Sequence, residues 1–328
     1  MLGNQQSGRA VSFLVGCLLV LATTQAVWAQ GYPNRAVRII VPTVPGGSID
    51  ITARTVANKL SELWGQSVVI DNRAGASMII GAELAAKATP DGYTLFVAHD
   101  GTMSINPVLF SSLPYRPLQD FIPLSLMTAA PLVVMVDPII GVDSILGLID
   151  YARANPGRLN HATGGPATML ALELFNSIAK VSIVSVPYKG AAAAIKSILA
   201  GETQVCIADT ASAAAVLRSG KVKPLAVTAA RRFDLFPDLP TVADAGVPGY
   251  ETRTWIAAFA PAGTPADIVN ILGEDIRRVL RSAELRERFA SINMEVHATS
   301  AAELVRTMEA DTEKWRRLIK ERGIKLVQ

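Results

Sequence analysis

Cysteine is nearly absent: Cys17 and Cys206 are the only two, so no disulfide framework holds the chain together and stability must come from burial. Histidine is scarce as well. His99, His161 and His297 are the only three, and none has a second ligand spaced with it in the manner of a zinc site. Aromatic residues make up 6% of the chain, which leaves an aliphatic core of Ala, Val, Leu and Ile packing helices on sheets. Charge of one sign is not in excess: the formal net charge is +3, and removing the first thirty residues takes away only Arg9 to leave +2. That balance argues against nucleic acid, which demands a clustered basic patch. Past those thirty residues no apolar run is long enough to span a bilayer. Neither a Gly-x-Ser-x-Gly elbow nor a paired-carboxylate motif occurs. Ser48 is therefore the one candidate nucleophile of a serine-type hydrolase, and nothing in the sequence supports it.

The beginning of the chain has the layout of a targeting segment. Met1 to Ala10 is polar with Arg9 as its positive charge, Val11 to Ala26 is apolar, and Val27-Trp28-Ala29 ends in small residues. Residues 1–29 are predicted to be a signal peptide cleaved after Ala29, with export to the periplasm. A competing reading takes Leu14-Val15-Gly16-Cys17 as a lipidation box anchored at Cys17. Export leaves Cys206 alone in an apolar strand, where a small core side chain is expected.

The mature part repeats strand and helix. Ile39 to Val41 is β-branched and leads through Pro42-Thr43-Val44-Pro45 into Gly46-Gly47-Ser48-Ile49-Asp50. This reads as a strand, a glycine turn and a helix start, with Ser48 as the cap. Free N–H groups at such an end attract carboxylate or phosphate. Strands follow at Ser67–Asp71 and Tyr93–Ala98, the latter running into His99-Asp100-Gly101-Thr102. Leu113 to Pro123 carries three prolines and reads as an irregular excursion. A second unit then repeats the pattern, with Thr163-Gly164-Gly165-Pro166-Ala167-Thr168 before another helix, Tyr188-Lys189-Gly190 after a strand, and Asp209-Thr210 after the Cys206 strand. Thr254 to Ala260 reads as a strand returning to the first unit, followed by amphipathic helices. Two units, each with a Gly-Gly turn at a helix start and joined by two crossing segments, predict an α/β clamshell. Lobe 1 comprises residues 30–130 plus 254–328 and lobe 2 residues 131–253. A small molecule binds between such lobes, and hinge closure accompanies it.

A dozen ordered motifs carry a family resemblance over essentially the whole mature chain. They include Tyr32-Pro33, Pro45-Gly46-Gly47 through Asp50, Asp71-Asn72-Arg73 with Gly75-Ala76 and Gly81, Pro90-Asp91-Gly92-Tyr93-Thr94-Leu95, Asn106-Pro107, Val186-Pro187-Tyr188-Lys189-Gly190, Leu199-Ala200-Gly201 and Ala260-Pro261-Ala262-Gly263-Thr264-Pro265. Together they resemble the Bug, or TctC-like, family of extracytoplasmic solute receptors of tripartite tricarboxylate transporters. The resemblance implies a two-lobed periplasmic-binding-protein fold with mixed, mostly parallel sheets flanked by helices. It also implies a receptor that captures a small carboxylate and delivers it to membrane permease subunits, one large and one small. In some members the receptor docks to a membrane sensor instead. With no catalytic motif, the chain is expected to be a monomeric, non-catalytic binder without cofactor or metal.

Carried over by position, first-lobe ligand contacts come from Gly46, Gly47, Ser48, Asp50, Asp100, Gly101 and Thr102. Second-lobe contacts come from Thr163, Gly164, Gly165, Thr168, Tyr188, Lys189, Gly190 and Asp209. Two of these positions also have plainer readings: Asp50 as a carboxylate favoured by the helix dipole, and Lys189 as a solvated helix-start residue. The run Ala74-Gly75-Ala76-Ser77-Met78-Ile79 departs from the family's glycine-rich pattern. The Gly164 to Met169 loop is about two residues shorter than usual and lacks the usual histidine. Donors are thereby traded for apolar atoms on both walls, which bears on ligand choice.

Overall fold

The computed structural model describes residues 31–327, so the signal-peptide and Cys17 readings fall outside the described residues. Its elements are strands β1 (Val37–Val41), β2 (Val68–Asn72), β3 (Thr94–His99), β4 (Phe121–Val136), β5 (Asn160–Thr163), β6 (Val184–Pro187), β7 (Val205–Asp209), β8 (Lys223–Val227), β9 (Arg253–Pro261) and β10 (Glu295–Val296). The principal helices are α1 (Ser48–Trp64), α2 (Ile79–Ala86), α3 (Ile145–Ala154), α4 (Pro166–Ala179), α5 (Ala191–Leu199), α6 (Thr210–Ser219), α7 (Ala266–Leu280), α8 (Ala283–Ala290) and α9 (Ala301–Arg322).

The strands form one curled mixed sheet in the order β2-β1-β3-β9-β4-β7-β5-β6, with β8 and β10 also paired to β4. β1 is parallel to β2 and β3, and β5 is parallel to β6 and β7. β4 is the common member. Its residues Phe121 to Pro131 pair antiparallel with β9, and Leu132 to Val136 pair with β7 and β8. The first half packs Ile49, Val56 and Leu60 of α1 with Leu272 and Ile276 of α7 on one face, and Ala82 of α2 with Leu304 of α9 on the other. The second half buries Leu148 of α3 with Phe175 of α4 on one face, and Ile198 of α5 with Val216 of α6 on the other.

Two sequence expectations need revision. The stretch before Leu124 is not wholly irregular: Pro117–Asp120 forms a helical turn, and β4 starts at Phe121 and runs unbroken through Pro123 and Pro131. Proline has no N–H to give a ladder, and the register slips between Pro123 and Ser125. Pro131 is the last β4 residue paired with β9 before the strand joins β7. Ser48 does not cap α1 either. Gly47 holds the extended cap conformation (φ −80°, ψ 168°), Ser48 is already helical, and no side chain caps this end.

Candidate functional site

A cavity of about 320 Å³ lies where the two halves of the sheet meet. Ala130 and Leu132 of β4 and Thr254 and Ile256 of β9 form its floor, the two strands that join the halves. Four helix starts surround it: Gly47 to Ile49 of α1, Gly165 to Thr168 of α4, Ala191 of α5, and Asp209 with Ala211 and Ser212 of α6. The α1, α4 and α5 ends have glycine at the cap, Gly47, Gly165 and Gly190, with no side-chain hydrogen bond to the helix. First-turn amides have no intrahelical acceptor, so these remain free for a ligand. At α6 the Asp209 carboxylate accepts from Ser212 N at 2.8 Å.

The α1 loop is held from behind. Asp50, 2% exposed, accepts from Gly46 N at 2.9 Å, from Asn72 Nδ2 at 2.9 Å and from Arg54 Nε at 3.0 Å. Asn72 Nδ2 also donates to Thr43 O at 2.9 Å. Burial opposes the charge on Asp50, but the bonds from Arg54, Gly46 and Asn72 outweigh it and hold the carboxyl below its usual range. Asp50 is thus the anchor of the loop, and its oxygens are occupied by protein donors.

Behind the next loop, Ala76, Ser77 and Met78 all have positive φ, 44°, 52° and 72°, a region costly for residues with a Cβ. Asn106 Nδ2 donates to Ser77 O at 2.9 Å, and Tyr115 OH donates to Thr102 O at 2.7 Å. These bonds set Met78 on the cavity wall, with Thr102 Oγ1 3.4 Å from its Sδ. His99 also lines the cavity. Its Nδ1 accepts from Thr102 N at 3.3 Å, which places the proton of the neutral ring on Nε2. Burial keeps His99 below its ordinary pKa, with the Asp209 charge opposing. The His99 ring packs against Gly101, where a Cβ would collide with it.

The α4 wall is built by close packing. A Cβ on Gly164 would lie 2.9 Å from Ala191 N and Cα, so the turn rests directly on the start of α5. Thr168 Oγ1 accepts from Gly164 N at 3.1 Å and donates to Gly165 O at 3.0 Å. Thr163 Oγ1 lies 2.9 Å from His161 Nδ1 and 2.7 Å from Ser185 Oγ. His161 Nε2 accepts from Ile207 N at 3.1 Å, and burial drives its pKa down to about 3. It is a neutral structural pin.

Of the residues predicted from sequence, Gly47, Ser48, Gly101, Gly164, Gly165, Thr168 and Asp209 line the cavity. Gly46, Asp50, Asp100, Thr102, Thr163, Tyr188, Lys189 and Gly190 lie outside its lining. Asp100 is buried beneath it, accepting from Trp255 N at 3.3 Å. Tyr188 OH donates to Glu202 at 3.1 Å, Lys189 is exposed, and the turn they form delivers Ala191 to the cavity instead. Sequence reasoning missed Thr43, Met78, His99, Asn106, Ser212 and Met294, all on the wall. His99 was the most accessible of these, because it ends a strand beside a glycine already singled out.

A helix-flanked mixed sheet whose halves share strand β4 beside a cavity defines a two-lobed solute-binding fold of the periplasmic-binding-protein kind. The chain belongs to the tripartite tricarboxylate transporter receptor family, whose model matches residues 52–324. It is 34% identical over 313 residues to the UPF0065 protein in the tcbD-tcbE intergenic region of Pseudomonas sp. strain P51, covering 94% of this chain and 93% of that one. It is 33% identical to protein BugT of Bordetella pertussis, covering 95% and 97%. Among solved structures it is similar to R. palustris Rpa4515 with adipate (36% identity, TM-score 0.84, covering 90% of this chain and 100% of that one). It is also similar to the periplasmic binding protein BugD (30%, 0.79, 90% and 100%), and to MatC from Rhodopseudomonas palustris with bound malate (30%, 0.78, 88% and 100%). The family is one of solute-binding receptors, and no helix among the described residues is long and apolar enough to cross a membrane.

Proposed function

We propose that this protein captures a small organic acid in the cavity between residues 30–130 plus 254–328 and residues 131–253, and hands it to the membrane subunits of a tripartite transporter after export to the periplasm. The observation that carries the reading is the convergence of three glycine-capped helix starts, open at their amides, on one cavity lined by no Lys or Arg. Helix N-termini hold anions through N–H groups and the helix dipole without a basic side chain. The similar structures with adipate and malate support the ligand class.

The two crossing strands act as the hinge, and closure swings Gly164 to Thr168 toward Gly47. Thr210 Oγ1 donates to Asn293 O at 3.1 Å across the two halves, beside the cavity residue Met294, a contact that tethers them. Capture involves no chemistry. Ser48 lines the cavity at the start of α1, where its backbone amide serves as a ligand donor. Isothermal titration of the purified protein with a panel of organic acids tests the reading. Binding of at least one at micromolar affinity, with a ligand-dependent rise in Tm, is expected. A flat panel would refute capture.

A further inference from the structure

Resting on the reading of this cavity as a carboxylate site, we propose that the ligand is a monocarboxylic acid with an apolar aliphatic or aromatic body, not a hydroxylated di- or tricarboxylate. The two ends of the cavity differ in what they offer. At the α1 end, donors cluster: the open amides of Ser48 and Ile49, the Nε2–H of His99, and Thr43 Oγ1, which is buried without a hydrogen-bond partner among the described residues. This set suits one carboxylate.

The opposite wall offers the open amides of Ala167, Thr168 and Ala191 and the Ser212 side chain, but no basic group. Pro166 occupies the first position of α4 and has no N–H. Gly164 N and the Thr168 hydroxyl are already bonded to each other and to Gly165 O. The one carboxylate side chain on the wall is Asp209, and the surrounding surface comes from Leu132, Ala167, Ile256 and Met294. A second ligand carboxylate would be desolvated beside the Asp209 charge with no Lys or Arg on the wall to meet it, leaving only uncharged donors to offset the repulsion. Ligand hydroxyls lying over Leu132, Ile256 and Met294 would be stripped of water and left unpaired. An alkyl chain or a phenyl ring, in contrast, gains from that same surface. At about 320 Å³ the cavity sits near the lower end of the roughly 300–1,000 Å³ seen for ligand pockets, so the body must be short.

Hexanoate and adipate share a six-carbon chain and differ only in the second carboxylate, which makes them the deciding pair. Calorimetry of the full chain with hexanoate, benzoate, adipate, malate and citrate is expected to show hexanoate or benzoate binding about tenfold tighter than adipate, and no heat from malate or citrate. Adipate, malate or citrate binding as tightly as hexanoate and benzoate would overturn the single-carboxylate inference while leaving the carboxylate-site reading intact. Failure of all five would overturn both. Asp209→Asn provides an independent check, because Asn caps a helix as well as Asp does and removes the charge. The ratio of adipate to hexanoate affinity is expected to rise about tenfold in this variant; an unchanged ratio would show that Asp209 does not exclude the second carboxylate.

Discussion

The two glycine turns that face each other across the cavity look alike in sequence and are built differently. Gly46-Gly47 is open: no atom lies within 4 Å of where a Cβ on Gly47 would stand, and the loop is steadied from behind by the buried carboxylate of Asp50. Gly164-Gly165 is closed on one side, because Gly164 rests on the backbone of Ala191. The first turn keeps glycine so that a ligand can approach the backbone. The second keeps it so that two helix starts can approach each other.

Substitutions separate these roles, in order of expected effect. Gly47→Val should leave the fold intact at a cost of no more than about 1 kcal/mol for a poorer helix cap, since the residue already has an extended conformation open to any side chain. It should cut organic-acid affinity ~100-fold, or about 2.7 kcal/mol, by filling the approach. Retained affinity in titration would demote the loop to a turn. Asp50→Ala should lower both quantities: loss of a carboxylate that satisfies Gly46 N and Asn72 costs ~1–3 kcal/mol of stability and frees the loop, which denaturant unfolding and titration together would reveal. Gly164→Ala should act first on the fold, costing about 1–3 kcal/mol by overpacking against α5, with weaker binding as a consequence. Full stability in that variant would break the contrast between the turns.

A pH dependence of stability is expected beneath the cavity. Burial, reinforced by the charge of Asp311, raises the pKa of Asp100 to about 7, against roughly 3.9 in an unfolded chain. The folded state therefore binds a proton that the unfolded state releases. The stability this confers is complete below about pH 4 and is lost as pH rises to about 7. Asp100→Asn keeps an acceptor for Trp255 N and cannot ionise. Its Tm should exceed that of wild type by a few degrees at pH 8, with the gap narrowing as pH falls and closing near pH 4. Parallel curves for the two proteins would count against a protonated Asp100.

Much of the fold was legible because its signals are local. β-branched runs marked β1 and β7, and Gly-Gly turns marked the starts of α1 and α4. What escaped was non-local. That β4 runs unbroken through two prolines depends on partners β9 and β7, which lie far along the chain. For the site, positions next to glycine turns were readable, whereas the direction of each side chain was not. Asp50 and Asp100 have the residue type of a ligand contact but point into the protein. Met78 reaches the wall from a left-handed turn that Asn106, far along the chain, holds through Ser77 O. His99 has no metal-type partner in the sequence, yet its Nε2–H needs none to meet a carboxylate.

A crystal structure with a bound organic acid tests the central claim most directly. A carboxylate group within about 2.7–3.2 Å of the Ser48 and Ile49 amides, with the ligand body toward Leu132 and Met294, is the predicted result. A carboxylate seated instead on the arginines Arg231, Arg232 and Arg253, which line a separate recess beside β4, with the α1 start vacant, would contradict it.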